Sequence, residues 1–267
     1  MFKSFFLGLA FSVLSQAALT QAVMADTIVL VQGYQGSAAS WRATGVTQVL
    51  SRNHWQDGGH YSARGSQVVH WENATKSKNR FITIDLPTET PITFQAQFLG
   101  AYVEQIIKRY PKDKLHLVGH SAGGVVARAF MVRYPMMKVQ TLITIASPHL
   151  GTDKAETGLQ VANSPLSWFT PMVGAGTINR SRGLYAQLVR ERPNNYLGWL
   201  NHQKHPKARY VSIIRAVSDG WVPAWSQDMN SVSALRGQSE TYPVSGRHDL
   251  NVYDGLTILN ILAKNKK

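Results

Sequence analysis

The chain has 267 residues, 44% of them hydrophobic, which is enough to bury a sizeable core and fits one large α/β domain. It contains no cysteine, which excludes disulfides, zinc–thiolate sites and a cysteine nucleophile. The formal net charge is +13, but the basic residues are scattered, so we expect anionic surfaces or interfaces rather than nucleic acid as partners.

The N-terminal stretch has the pattern of an export signal. Residues 1–3 give a short basic start, residues 5–14 are strongly apolar, and residues 23–25 end in small side chains at the positions that a signal peptidase reads. The apolar run is short for a membrane span, although an uncleaved anchor is the alternative. We predict a signal peptide at residues 1–25, a single domain at 26–267, secreted or periplasmic localisation and no transmembrane segment in the mature chain.

Short apolar runs alternate with helical patterns along the rest of the chain. The predicted strands are residues 27–31, 80–85, 115–118, 139–146, 208–217 and 240–244, with 67–71 as a strand or part of an excursion. Residues 53–59 are turn-rich and end in Asp-Gly-Gly. Helical spacing occurs at residues 40–51, 92–110, 125–134 and 252–263. This alternation predicts an α/β fold with a mostly parallel central sheet flanked by helices.

A long stretch without a strand pattern lies between the strand ending near Ala146 and the strand starting near Ala208. Insertions of this length generally form a lid or a binding wall, so we predict a lid or cap at residues 153–206. Its apolar patch either contacts substrate or packs on the core as an ordinary covering helix; the patch consists of Trp168, Phe169, Met172 and Val173.

The strongest motif is Gly119-His120-Ser121-Ala122-Gly123, which fits the pattern G-x-S-x-G between a predicted strand and a predicted helix. Glycines permit the sharp turn that exposes a nucleophile at the carboxyl end of a strand. We predict that Ser121 is the nucleophile and that the Ala122 N–H binds the developing oxyanion. The alternative is a glycine-rich turn with an incidental serine.

A nucleophilic serine needs a histidine base, and that histidine needs a carboxylate to orient it. Asp219 follows a predicted buried strand downstream of Ser121, and His248 is the only histidine after Asp219. We therefore predict a triad of Ser121, Asp219 and His248, with Tyr34 as the second oxyanion donor. The alternatives are that Asp219 belongs to an ordinary Asp-Gly turn, that His248 is a surface histidine, and that Gly33 belongs to a plain turn.

Three further polar residues lie close to these motifs in the sequence. We expect His120 to point away from the nucleophile as part of the turn, and His149 to be structural or pocket-lining rather than the base. We expect Asp249 to be the N-cap of the last helix rather than a metal ligand. No metal or cofactor is predicted.

Together, the motifs at residues 29–33, 119–124, 145–152, 217–220 and 246–248 resemble α/β-hydrolases of the bacterial secreted lipase and esterase type. The resemblance spans most of the chain. It implies a serine ester hydrolase that works through an acyl-enzyme, with a triacylglycerol lipase favoured. A short-chain esterase, a polyester depolymerase or an acyltransferase with the same triad is the alternative, and a non-catalytic basic binding protein is a distant one.

The sequence departs from that family at two points. Gln32-Gly33 stands where relatives commonly have His-Gly, so the anchoring of this loop is expected to differ, and the chain cannot form the disulfide that many relatives carry. Some relatives bind calcium near the catalytic histidine, but the spacing of Asp249 and Asn251 gives no match to such a site.

Overall fold

An eight-stranded sheet lies at the centre of the protein, in a computed structural model that describes residues 25–65, 67–73, 79–164, 176–215 and 219–264. The strands are β1 (Asp26–Val31), β2 (Gln56–Arg64), β3 (Gln67–Trp71), β4 (Arg80–Ile84), β5 (Lys114–His120), β6 (Val139–Ile145), β7 (Arg209–Arg215) and β8 (Ser239–Val244). The helices are α1 (Ala38–Ala43), α2 (Val46–Arg52), α3 (Ile92–Arg109), α4 (Ala122–Arg133), α5 (Asp153–Asn163), α6 (Gly176–Arg180), α7 (Arg182–Leu188), α8 (Tyr196–His202), α9 (Ala224–Gln227) and α10 (Val252–Ala263).

The strand order is β3-β2-β4-β1-β5-β6-β7-β8, and every neighbouring pair is parallel except β2 and β3. The mostly parallel sheet flanked by helices is therefore confirmed. Parallel sheets need cover on both faces, and β1 accordingly has all six residues buried.

The two faces of the sheet have separate apolar cores. Val29 and Val31 of β1 face a core that includes α3 and α4, whereas Ile28 and Leu30 face a core that includes α1, α2 and α10. Side chains alternate along a strand, so the same run of apolar residues contributes to both cores.

Two sequence expectations are corrected by the fold. The turn-rich stretch at residues 53–59 contains the start of β2, which pairs with β4 and forms an antiparallel pair with β3. The helical pattern at residues 40–51 is divided into α1 and α2 at Gly45, whose φ of 81° is a conformation that glycine adopts without strain.

The described residues between β6 and β7 form helices α5 to α8 and no strand. Trp168, Phe169, Met172 and Val173 lie outside the described residues, as does nearly all of the predicted signal peptide. Within the described ranges, no helix combines the length and the apolar character that crossing a membrane requires.

The carboxyl ends of the central strands meet at one edge of the sheet. Val31 pairs with Gly119, His120 pairs with Ile145, and Arg215 pairs with Val244. The loops that follow β1, β5, β7 and β8 therefore converge at this edge, which is where ligands bind in open α/β sheets.

Candidate active site

Ser121 lies in a strained turn between the end of β5 and the start of α4. Its φ of 52° and ψ of −130° place a non-glycine residue in an unfavourable backbone region, which typically costs about 1–3 kcal/mol. The Ser121 N–H donates to the Ile145 carbonyl at 2.8 Å, and the Gly124 N–H donates to the Ser121 carbonyl at 3.0 Å. The predicted succession of strand, turn and helix is found here.

The glycines of this turn are needed for close backbone contact. A Cβ atom on Gly119 would lie 2.5 Å from the Gly124 Cα. A Cβ on Gly123 would overlap the Gln32 carbonyl oxygen, and one on Gly124 would overlap the Ser147 hydroxyl. Side chains are therefore excluded at all three positions, and α4 packs closely against the first loop.

The structure brings Ser121, His248 and Asp219 into one chain of hydrogen bonds. His248 Nε2 lies 2.9 Å from Ser121 Oγ, and His248 Nδ1 lies 2.8 Å from Asp219 Oδ2. With a carboxylate at Nδ1, the proton of the neutral imidazole is held on that nitrogen, and Nε2 is free to accept the serine proton.

Asp219 is held in its ionised form. Burial by itself would raise the pKa of Asp219, but the hydrogen bonds from His248 and from the N–H groups of Val222 and Trp221 outweigh it, so this pKa is lowered. The two backbone N–H groups donate to Asp219 Oδ1 at 2.9 and 2.8 Å, and the side chain is 1% exposed.

His120 contacts the histidine of this hydrogen-bond chain, so the expectation that it points away from the nucleophile is wrong. His120 Nε2 lies 2.8 Å from the His248 carbonyl oxygen, and the two rings are 5.2 Å apart. Burial and the neighbouring His248 lower the pKa of His120 to about 4, so its ring is neutral near pH 7. A carbonyl can only accept, so His120 Nε2 carries the proton and donates it.

A second buried donor holds the same loop one residue earlier. Arg215 Nε donates to the Arg247 carbonyl at 3.1 Å, while its Nη2 contacts both Asp254 carboxylate oxygens at 2.6 and 2.8 Å. The Arg215 and Asp254 side chains are fully buried. Two consecutive carbonyl groups, at residues 247 and 248, are thus held in place by hydrogen bonds from the side chains of Arg215 and His120.

The N-cap of α10 is Asn251, so the expectation that Asp249 caps this helix is wrong. The Asn251 side chain accepts from the Tyr253 N–H at 2.9 Å, and Asp254 accepts from the Asn251 N–H at 2.8 Å. This reciprocal pair satisfies the exposed donors of the first turn. Asp249 is left exposed at the wall of the cavity above Ser121.

The loop after β1 is anchored by Gln32. The buried Gln32 amide donates to the Ile84 carbonyl at 2.8 Å and accepts from the Leu86 N–H at 2.6 Å, which joins the loop to the chain after β4. Next to it, a Cβ on Gly33 would lie 2.9 Å from the Ser121 Cβ. The absence of a side chain at Gly33 therefore brings this loop directly against the nucleophile.

Tyr34, the next residue, links this loop to α7. Its hydroxyl lies 2.7 Å from the Tyr185 hydroxyl and accepts from the Ser181 hydroxyl at 3.0 Å. Tyr34 and Ala122, the two predicted oxyanion donors, both line the space beside Ser121.

A cavity of about 470 Å³ opens above Ser121. Most of its wall is apolar and comes from the helices of the insertion and the loop after β7, with Ala155, Val161, Ile178, Leu184, Leu188, Trp221 and Val222. Five of these residues lie in the stretch 153–206, which was expected to form a lid or a binding wall, whereas Trp221 and Val222 were not expected at a cavity. The arrangement can bind an apolar group next to an activated hydroxyl.

His149 lies away from this cavity, in the core. It is fully buried, its Nε2 lies 3.0 Å from the Thr144 hydroxyl, and burial lowers its pKa well below the ordinary value. Its position is that of a structural residue. Among the described residues, no group of three or more histidine, aspartate or glutamate side chains is placed to hold a metal ion.

Comparison with known proteins gives one family and many similar folds. Residues 25–216 match the family described as "Putative serine esterase (DUF676)". No curated protein matches the chain.

Two solved structures illustrate the similarity of fold. The mature form of the Bacillus licheniformis lipase BlEst2 superposes with a TM-score of 0.60 at 15% identity, covering 90% of this chain and 92% of that one. A Listeria innocua gene product superposes with a TM-score of 0.59 at 16% identity, covering 84% and 85%. At such identities the likeness shows a shared fold, that of the α/β-hydrolases.

Proposed function

The chain belongs to the DUF676 serine esterase family and is a serine ester hydrolase of the α/β-hydrolase superfamily, and we propose that Ser121, His248 and Asp219 are its catalytic triad. The observation that carries this proposal is the continuous hydrogen-bond chain from Ser121 Oγ through both nitrogens of His248 to Asp219. The strained turn at Ser121 supports the same assignment.

In the proposed acylation, Ser121 Oγ forms a bond to the ester carbonyl carbon as its proton passes to His248 Nε2. Asp219 stabilises the resulting imidazolium, and the Tyr34 and Ala122 N–H groups bind the oxyanion. The C–O bond to the alcohol then breaks, and His248 gives its proton to the leaving alkoxide. A water molecule, deprotonated by His248, releases the acid from Ser121 in the second half of the reaction.

Replacing Ser121 tests this assignment. We expect Ser121→Ala to lower kcat for p-nitrophenyl esters by roughly 10⁴-fold or more, because the nucleophile is lost. Circular dichroism should show an unchanged fold. Ser51→Ala is the matched control, since Ser51 is exposed on α2, and it should retain full activity. Activity of Ser121→Ala equal to that of the control would refute the triad.

We place lipid esters first among the substrates and treat residues 153–206 as the lid. The apolar cavity wall supports this choice, as does Trp221, which is 58% exposed beside the cavity and could contact an interface. Among lipid esters, the resemblance of the sequence to bacterial lipases favours triacylglycerols, which are neutral. A short-chain esterase or polyester depolymerase would use the same triad, and a series of soluble and emulsified esters of increasing acyl length separates these alternatives.

An acyltransferase would also use this triad, because its acyl-enzyme is attacked by an alcohol instead of water. Product analysis with added alcohol distinguishes the two reactions, and exclusive release of free acid supports hydrolysis.

We further propose that the protein is exported to the periplasm or the medium after cleavage behind Ala25. The basic start and apolar run of the sequence support this. N-terminal sequencing of the exported protein should give Asp26 as the first residue.

A further inference from the structure

Lys154 introduces a positive charge into the otherwise mainly apolar mouth of the cavity. Among the described residues that line the cavity, it is the only lysine or arginine. It is exposed in the first turn of α5, and its Nζ lies 5.7 Å from the centre of the Trp221 ring. A cation at this distance is drawn to the ring face, which keeps the flexible side chain next to the cavity.

The acidic residues beside Lys154 on α5 are paired with other cations. Asp153 accepts from Arg190 at 2.8 Å, and Glu156 accepts from Arg192 at 3.0 Å. Asp249 also lines the cavity, but no carboxylate of the described residues forms an ion pair with Lys154. The ammonium charge is therefore left for a ligand.

The position of Lys154 identifies the part of the ester that it can reach. His248 must protonate the leaving alkoxide, so the alcohol part of the substrate lies on the His248 side of the scissile bond. The Trp221 ring is 6.3 Å from the His248 ring, and Lys154 lies against Trp221. Lys154 thus lies on the alcohol side.

We propose that Lys154 binds an anionic group in the alcohol part of the ester. The preferred substrates are then acyl esters of an alcohol that carries a phosphate or a carboxylate, such as an acylglycerol phosphate, rather than neutral acylglycerols. This inference rests on the proposed function and narrows its substrate class.

Three soluble esters with the same acyl chain test this proposal: 1-decanoylglycerol, its 3-phosphate and the decanoyl ester of 3-hydroxypropanoate. Each is used below its critical micelle concentration, so that interfacial effects are absent, and acid release gives kcat/KM. The variant is Lys154→Met, which keeps the length of the side chain and suits an exposed helix position. The matched control is Lys112→Met, which removes the same charge from an exposed turn before β5, at the opposite edge of the sheet.

We expect the wild type and Lys112→Met to prefer an anionic ester over the neutral one, and Lys154→Met to lose that preference by about tenfold. The preference should shrink as ionic strength rises, because salt screens an exposed charge. Preference for the phosphate ester alone would identify phosphate as the recognised group, and equal preference for both would identify the charge.

Equal kcat/KM for neutral and anionic esters in the wild type, or an unchanged preference in Lys154→Met, would overturn the proposal. Failure of the wild type to hydrolyse any of the three esters, together with p-nitrophenyl esters, would instead contradict the proposed function.

Discussion

His248 is positioned through its main chain as well as through its ring. Its carbonyl accepts from His120, and the preceding carbonyl accepts from Arg215. Arg215 is fully buried, so it cannot exchange its partner for water without the surrounding core opening, and His120 is partly buried at the cavity wall. His120 is therefore a positioning residue, since it acts on the proposed base without contacting the reacting atoms.

Replacing His120 tests this role. We expect His120→Phe, which keeps a ring but removes the donor, to lower kcat by roughly tenfold to 100-fold with a smaller change in KM, because a displaced base is costly. His120→Gln, which retains an N–H donor, should recover part of kcat. The measurement is steady-state hydrolysis of p-nitrophenyl butyrate, and equal kcat values for Phe and Gln variants would contradict the role.

Some site residues could be predicted from the sequence and others could not. Ser121, Asp219 and His248 follow from one motif and from their order along the chain, and the structure places His248 within hydrogen-bonding distance of the other two. The role of His120 could not be predicted, because its partner His248 lies 128 residues away along the chain. The role of Lys154 could not be predicted either, because its contact with Trp221 exists only in the folded protein.

The turn between β5 and α4 depends on contacts between elements. Gly123 packs directly on the backbone of the loop after β1, which also contains Gly33 and Tyr34. The nucleophile and the proposed oxyanion donors are therefore placed by the same close contact.

A side chain at Gly123 should disturb both stability and catalysis. The added Cβ of Gly123→Ala would overlap the carbonyl oxygens of Val31 and Gln32, and we expect a loss of about 1–3 kcal/mol in the free energy of unfolding. Urea denaturation gives this value, and kcat should fall in parallel. Gly220→Ala serves as the control for stability, because no atom lies within 4 Å of its added Cβ. Equal urea midpoints for the two variants would show that the contact is unimportant.

Elements that are buried on both faces were predictable, whereas the β2–β3 pair was not. The strands of the sheet centre are almost continuously buried and rich in apolar residues, as in β1 and β6. Strand β2 has no continuous apolar run and includes the adjacent Gly58 and Gly59, so its local pattern resembles a turn. Its strand conformation comes from pairing with β4, which only the tertiary structure supplies.

At the scale of the whole molecule, partly and fully buried histidines make stability depend on pH. Burial lowers the pKa of His120 and of His205 from 6.5 to about 4, and it lowers the pKa of His149 further. As the pH falls below 6.5, the unfolded chain takes up protons that the folded chain excludes, so the free energy of unfolding must fall with pH in this range.

Urea unfolding between pH 7 and pH 4 tests this dependence. We expect the free energy of unfolding to decrease steadily as the pH falls over this range. The decrease should be smaller in His205→Phe, because this variant lacks one of the histidines that bind a proton only in the unfolded chain, and position 205 lies outside the proposed site. His202→Gln changes an exposed histidine and should keep the wild-type dependence. A stability that is constant over the range would contradict the prediction.

The hydrogen bonds that join the Tyr34 hydroxyl to the hydroxyls of Tyr185 and Ser181 restrict how the acyl specificity of this enzyme can change. Helix α7 forms part of the apolar cavity wall, which is the proposed site of the acyl group, and Tyr34 carries a proposed oxyanion donor. Any outward shift of α7 to admit a bulkier acyl chain would pull on the loop that carries this proposed donor. New acyl specificities are therefore accessible through side-chain exchanges inside the wall, at positions such as Leu184 and Leu188, and not through movement of the helix.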